Sequence, residues 1–137
     1  MKEKHLEFIQ TVIERMARNS FQAKAWGITT ATASLGLLVI KATELHKVTV
    51  LVPIFILVIF GILDAYYLYL ERGYRYLYNA VICSEDKLQI KEFDMNIPSS
   101  RRGCKMFLKV VFSKTIGGFY IALIALVAVF CVCVFKN

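Results

Sequence analysis

The sequence predicts an all-α membrane protein with an amphipathic N-terminal helix, three transmembrane helices and a small cytosolic helical region. Composition is the first observation: 58% of the 137 residues are hydrophobic and the mean hydropathy is +0.57, more apolar than an ordinary soluble domain. The second is the presence of three apolar stretches, each near the ~20 helical residues that cross a hydrocarbon core. The third is the net charge of +7, which is distributed unevenly between the flanks of these stretches.

The first predicted element is an amphipathic helix over residues 1–20. Leu6, Ile9, Val12, Ile13 and Met16 recur at helical spacing, with acidic residues near the start and basic residues near the end. Such a helix either lies on the inner membrane surface or packs against the central helix. The near balance of acidic and basic residues favours packing. Asn19-Ser20 predicts a break and an N-cap before the next helix.

The first transmembrane helix is predicted over residues 21–40 and is rich in small and hydroxylated residues. Small residues let helix backbones approach closely in lipid, so we expect this span to be the one most enclosed by protein. If the protein forms a pore, the same span supplies the pore-lining candidates. These are Thr29, Thr30 and Ser34.

The central helix is predicted to cross the membrane over residues 48–67 and to continue in the cytosol to about residue 82. Its apolar residues recur at alternating spacings of four and three, which is a heptad seam that requires a partner helix. The seam residues are Leu63, Tyr67, Leu70, Tyr74, Leu77 and Val81. An unpaired seam and a hydroxyl-rich first span together predict a homo-oligomer.

Residues 83–114 are predicted to form a cytosolic loop and a basic helix, and residues 115–135 the third transmembrane helix. Alternation over residues 88–93 predicts a short strand. Pro98 with the two serines after it predicts the cap of a helix that opens at Arg101. Lys105 and Lys109 then lie on one side of that helix, and the apolar residues lie on the other.

The distribution of Lys and Arg predicts the topology. Five lie before the first span or in its first turn, two in the first loop, nine in the second loop and one after the last span. The positive-inside rule then places the N-terminus and the second loop in the cytosol, in a multi-pass membrane protein with its C-terminus outside.

Two groups of charged residues are candidate functional sites. Asp64 is the acidic residue at membrane depth, and Lys24 and Lys114 begin the neighbouring spans at the same level, so a structural ion pair is favoured over a proton or ion site. The second group is a cytosolic basic surface that either contacts anionic lipid or binds an anionic ligand through phosphate contacts and stacking. Its residues are Arg72, Arg75, Tyr76, Arg101, Arg102 and Lys105.

Motifs of catalysis are missing from the sequence. It has no glycine-rich phosphate loop, no nucleophile motif with a partnered base, and its two histidines are too far apart to suggest a metal site. We therefore expect a protein that is not an enzyme and needs no cofactor or metal.

The segments HLEFIQTVIERMARNSFQAKAWGITTATA, ERGYRYLYNAV and FDMN, with a hairpin of spans between the first two, carry a resemblance. The chain resembles a family of small bacterial membrane effectors from anti-phage defence islands, and is similar to the channel-forming effectors of Hailong systems. The resemblance implies a channel and a nucleotidyltransferase encoded nearby, whose deoxyadenylate oligomers hold the channel shut.

The sequence therefore favours a homo-oligomeric ion channel that acts as a defence effector and is gated at its cytosolic face by an oligonucleotide or cyclic nucleotide. A ligand that opens the pore and a ligand that closes it are both consistent with these residues. The alternative is a small membrane anchor that recruits a soluble enzyme to the inner membrane through the heptad helix.

Overall fold

The computed structural model describes residues 2–40, 49, 51–83, 95–98 and 102–136. These residues contain four helices and no strand: α1 (Lys2–Ile40), α2 (Leu51–Cys83), α3 (Cys104–Val111) and α4 (Gly117–Lys136). The all-α prediction is confirmed for this part of the chain. The strand predicted over residues 88–93 lies outside the described residues.

Helix α1 runs without interruption through Asn19 and Ser20, so the predicted break between an amphipathic helix and a separate first span is wrong. The physical reason is the direction of the Ser20 side chain. Its hydroxyl donates a hydrogen bond to Asp64 of α2 and therefore does not cap the backbone of its own helix. Since neither Pro nor Gly lies near this point, nothing else ends the helix.

Helix α2 is one continuous helix, as the sequence predicts, although it begins at Leu51. Pro53 lies in its first turn, where the missing N–H costs no intrahelical hydrogen bond. Gly73 does not break the helix. An added Cβ at Gly73 would lie 2.7 Å from Ile97 Cδ1, so the glycine makes room for the side chain of a segment that crosses it.

Helices α1 and α2 form a long antiparallel hairpin, and α2 contacts every other helix. Three buried clusters follow one another along α2, centred on Leu57, Ala65 and Leu77. The first joins α2 to α1 and α4, the second to α3 and α4, and the third to the beginning of α1. Helix α2 is therefore the common support of the molecule.

The seam on the second half of α2 finds its partner within the same chain. Leu77 and Val81 are 2% and 5% exposed and pack against Ile9 of α1. Packing of the amphipathic helix on the central helix is thereby confirmed. The expectation that the seam is unpaired at Leu77 is wrong, because the unbroken α1 covers it, so this residue gives no support to a homo-oligomer.

Helix α3 starts at Cys104, three residues later than the predicted opening at Arg101. Gly103 precedes it with a φ of 129°, a left-handed conformation that favours glycine and does not continue a helix backwards. The two-sided pattern predicted for this helix is confirmed, since Lys105 and Lys109 are exposed and Val110 is 5% exposed.

The exposed apolar side chains are concentrated in one part of the molecule. Helices α1 and α2 are long and apolar enough to cross a membrane, and α4 contains a shorter apolar stretch over Gly117–Cys133. We call residues 20–40 of α1 and 51–66 of α2 their apolar halves, and residues 2–19 and 67–83 their polar halves. In the most apolar 18-residue stretch of each of these two helices, 22% of the residues are buried. A single chain therefore does not enclose the first predicted span more than the second, contrary to our expectation.

Candidate functional site: a buried charge cluster and a basic groove

A buried charge cluster lies where the polar and apolar halves of the hairpin meet. Asp64 is 0% exposed, and its Oδ1 accepts hydrogen bonds from Lys24 Nζ at 2.8 Å and from the Ser20 hydroxyl. The same ammonium lies 2.7 Å from Oδ2 as an ion pair, although the angle there is not that of a hydrogen bond. The predicted pairing of Asp64 with Lys24 is confirmed.

Helix α4 completes the surroundings of this cluster. The Tyr120 hydroxyl donates to the Phe60 carbonyl oxygen at 3.4 Å and lies close to Asp64. Lys114 does not join the cluster. It is exposed in the turn before α4 and makes no ion pair with Asp64, which is fully buried against Lys24 and Ser20, so the pairing predicted for Lys114 is wrong.

A basic groove lies between α2 and α3, with a volume of about 270 Å³. Its cations are Arg72 and Lys109, both exposed, and among the residues that the structure describes no acidic side chain lines it. The remaining walls are the Tyr69 ring, Gly73 and two apolar side chains of α3, Met106 and Val110. We use the name basic groove for this set. It can bind an anion beside an aromatic ring and an apolar surface.

Two contacts fix α3 against α2 next to the basic groove. The Tyr69 and Phe107 rings pack edge to face with centroids 6.0 Å apart, and the Gly103 N–H donates to the Tyr69 hydroxyl at 3.2 Å. Gly103 also accepts hydrogen bonds from the Met106 and Phe107 N–H groups, which starts α3 at this point. Tyr69 therefore determines where Lys109 stands relative to Arg72.

The other predicted ligand residues of α2 do not enter the basic groove. Arg75 is held by Glu71 on its own helix, with Nε and Nη2 each 2.8 Å from Oε1, and it lines a separate cleft toward α1. That cleft, of about 450 Å³, also contains Glu14, so its charge is mixed. Tyr76 is 38% exposed and lines neither the groove nor this cleft.

Arg102 and Lys105, predicted as ligand residues beside α3, do not line the basic groove either. Arg102 donates to Asn96 Oδ1 at 3.0 Å, and Lys105 is exposed one turn before Lys109. Arg101 lies outside the described residues. Of the five predicted ligand residues that the structure describes, Arg72 is the one that lines the groove.

The hydroxyls of the predicted pore-lining residues bond to their own helix. Thr29 and Thr30 donate to the carbonyl oxygens of Ala25 and Trp26 at 2.8 and 2.6 Å, and Ser34 donates to Ala31 at 2.7 Å. Each hydroxyl is thus satisfied without water. Thr29 is exposed, while Thr30 and Ser34 are half-buried beside the helix face that contacts α2.

Sequence reasoning placed Lys109 on the basic side of its helix but did not assign it to the site, and it missed Tyr69. The spacing of Arg72 from Tyr69, i and i+3 on a helix, does indicate that they share a face. No pattern along the chain indicates that α3 returns to that face, because the contact depends on the turn at Gly103. In comparisons with protein-family models, curated proteins and solved structures, nothing matches this chain.

Proposed function

We propose that the chain is a multi-pass protein of the bacterial inner membrane, with the polar halves of α1 and α2 in the cytosol. The support is the position of its large exposed apolar side chains. They include Phe21, Leu37, Ile40, Phe55, Ile62, Ile121, Leu126 and Val129, each more than half exposed. An apolar band of this size is typical of a surface that contacts lipid.

Helix α2 is too long to lie entirely within the membrane. Its 33 residues rise about 50 Å, while a hydrocarbon core is about 30 Å thick. With residues 51–66 in lipid, the polar half projects into the cytosol. The basic groove on that half then faces the compartment in which soluble nucleotides are found.

Within this membrane we propose that the protein is a homo-oligomeric ion channel gated by an anionic nucleotide or oligodeoxynucleotide. One observation carries the proposal: Arg72 of the basic groove stands on the same unbroken helix as the exposed apolar half. A ligand that binds more tightly to one arrangement of α2 and α3 than to another shifts the equilibrium between those arrangements. The size of the shift is set by the difference in affinity, and the membrane segment of α2 follows because it belongs to the same helix. Conductance then depends on occupancy of the groove.

The chemistry of the basic groove favours a phosphate ligand with a ring. Arg72 and Lys109 supply two positive charges for a phosphodiester, and Arg offers a planar set of donors that suits phosphate oxygens. Tyr69 and Met106 supply a surface on which a base can stack. The resemblance to anti-phage effectors points to deoxyadenylate oligomers made by a nucleotidyltransferase as the ligand, and to membrane depolarisation as the effector action.

The first test is binding of a short deoxyadenylate oligomer to the purified protein at near-physiological salt. We expect binding that weakens with salt and is lost in Arg72→Glu with Lys109→Glu. Lys4→Glu with Arg18→Glu is the matched control, since it makes the same change in charge at exposed positions outside the groove. If the parent binds anionic liposomes but no oligonucleotide, the ligand proposal fails.

A membrane anchor for a soluble enzyme is the second candidate function. The observation in its favour is Phe8, which is 63% exposed on the polar half of α1, where a partner protein would dock. An anchor gives no current in planar bilayers and co-purifies with its partner in amounts that fall in Phe8→Ser. A channel gives current from the purified chain alone.

A further inference from the structure

Helix α3 presents three strips along its length. Val110, on the strip that faces α2, is 5% exposed. Lys105 and Lys109 form a basic strip, four residues apart. Between this strip and the packed side lie Leu108 and Phe112, the residue that caps the C-terminus of α3. They are 46% and 80% exposed and also four residues apart. A short helix with an exposed apolar strip beside a basic strip is typical of a membrane interface.

The position of α3 along α2 fits this interpretation. Its ring contact at Tyr69 comes three residues after Tyr66, the last large side chain in the exposed apolar band of α2. Three helical residues rise only about 4.5 Å. Leu108 and Phe112 are therefore exposed at the edge of the band that contacts lipid in the proposed function, and not at the far end of the polar half.

A cleft beside α3 opens at the same level and is almost entirely apolar. It has a volume of about 310 Å³ and is lined by Tyr66, Tyr69, Gly103, Cys104 and Phe107. Both tyrosines belong to the kind of aromatic belt found at membrane interfaces. The cleft gives the hydrocarbon of a lipid a place to enter between α2 and α3.

We propose that α3 docks on the surface of an anionic bilayer, with Leu108 and Phe112 in the acyl boundary and Lys105 and Lys114 against lipid phosphates. Charge complementarity selects this partner, since both lysines are exposed and neither lines the basic groove. The inference rests on the membrane placement in the proposed function. It also deepens the gating proposal, because α3 contributes Lys109 to the basic groove and lipid contact then orders one wall of the ligand site.

Tryptophan fluorescence of the full-length protein in vesicles tests where α3 lies. The chain has one tryptophan, so Trp26→Phe provides a silent background. Phe112→Trp and Leu108→Trp are two independent reporters on α3. Ile121→Trp, 67% exposed in the apolar part of α4, is the control for lipid, and Phe8→Trp is the control for water.

We expect both α3 reporters to be quenched by brominated phospholipids and protected from acrylamide, as Ile121→Trp is. If either reporter in folded protein behaves as Phe8→Trp does, with acrylamide quenching and no lipid quenching, α3 lies in water and the inference is overturned. Size-exclusion profiles equal to that of the background protein show that each reporter variant is folded.

The charge component is tested by comparing phosphatidylcholine vesicles with vesicles that also contain phosphatidylglycerol. We expect the Phe112→Trp emission to shift further to the blue in the anionic vesicles. The added shift should be lost in Lys105→Glu with Lys114→Glu and kept in Lys4→Glu with Arg18→Glu. An equal shift in both pairs, or no dependence on phosphatidylglycerol in the parent, contradicts the assignment of the two lysines.

Failure of this inference can be told apart from failure of the proposed function. If α3 lies in water but the protein still conducts and responds to oligonucleotide, only the lipid docking is wrong. If Ile121→Trp also behaves as an aqueous residue, the membrane placement itself is wrong.

Discussion

The Lys24 ammonium lies 2.7 Å from the Asp64 carboxylate and connects α1 to α2 at the level where their exposed surface changes from polar to apolar. Asp64 is 0% exposed, and Ser20 donates to the same carboxylate. The cost of burying a carboxylate is met only when charge and hydrogen bonds are both supplied. The hairpin therefore depends on this pair to fix how α1 and α2 are aligned.

Replacement of Lys24 by Met should lower the free energy of unfolding by about 3 kcal/mol, because Asp64 is left buried and uncompensated. This is the lower end of the range for broken buried pairs, chosen because the Lys24 side chain is 25% exposed. Unfolding in detergent micelles measures the change. Lys114→Met, which removes an exposed lysine, should have little effect. Equal stability of the two variants would show that the pair does not hold the hairpin.

At Gly27 the apolar halves of α1 and α2 approach each other closely. A Cβ added there would lie 2.9 Å from Phe60 Cβ, which cannot move without its helix, whereas a Cβ at Gly36 would meet nothing within 4 Å. Gly27→Ala should destabilise the protein by about 1–3 kcal/mol through overpacking. Gly36→Ala should be neutral or slightly stabilising, since alanine is the better helix former. Thermal denaturation of the two variants side by side measures the difference in stability. A Gly27→Ala variant as stable as the parent would contradict the close packing of α1 on α2.

Leu77 tests whether the seam is satisfied within one chain. Leu77→Ala should cost about 2–5 kcal/mol and increase hydrogen exchange in residues 6–16 of α1, because the side chain that covers Ile9 is lost. Ile82→Ala, at a position 44% exposed, is the control and should change neither quantity. If Leu77→Ala instead lowers the mass of an oligomer while exchange in α1 is unchanged, the seam lies between copies.

Helical periodicity predicts which side chains of this chain are buried, but not which helix covers them. The heptad positions Leu77 and Val81 predicted a partner helix correctly, since burial follows the helical repeat. They did not identify the partner, because α1 offers the same chemistry as a second copy would. Pairing of Asp64 with Lys24 was predictable because Lys24 begins the first apolar stretch and Asp64 lies near the end of the second, so an antiparallel hairpin brings them to the same level. The basic groove was predicted only at Arg72, because Gly103 sets the path by which Lys109 reaches it.

Orientation in the membrane is tested with single cysteines in a variant that lacks Cys83, Cys104, Cys131 and Cys133. By the positive-inside rule, a membrane-impermeant maleimide applied to spheroplasts should label Asn137→Cys and not Phe8→Cys. Lysis should make Phe8→Cys reactive. Labelling of Phe8→Cys from outside, or of Asn137→Cys only after lysis, would overturn the proposed topology.

The central claim is that occupancy of the basic groove controls a pore, and current through planar bilayers that contain the purified protein tests it most directly. We predict that a deoxyadenylate oligomer added to the cytosolic side changes the current, that Arg72→Glu with Lys109→Glu still conducts but no longer responds, and that Lys4→Glu with Arg18→Glu responds as the parent does. Absence of current from the parent chain, or a current that the oligomer changes equally in all three proteins, would contradict the account.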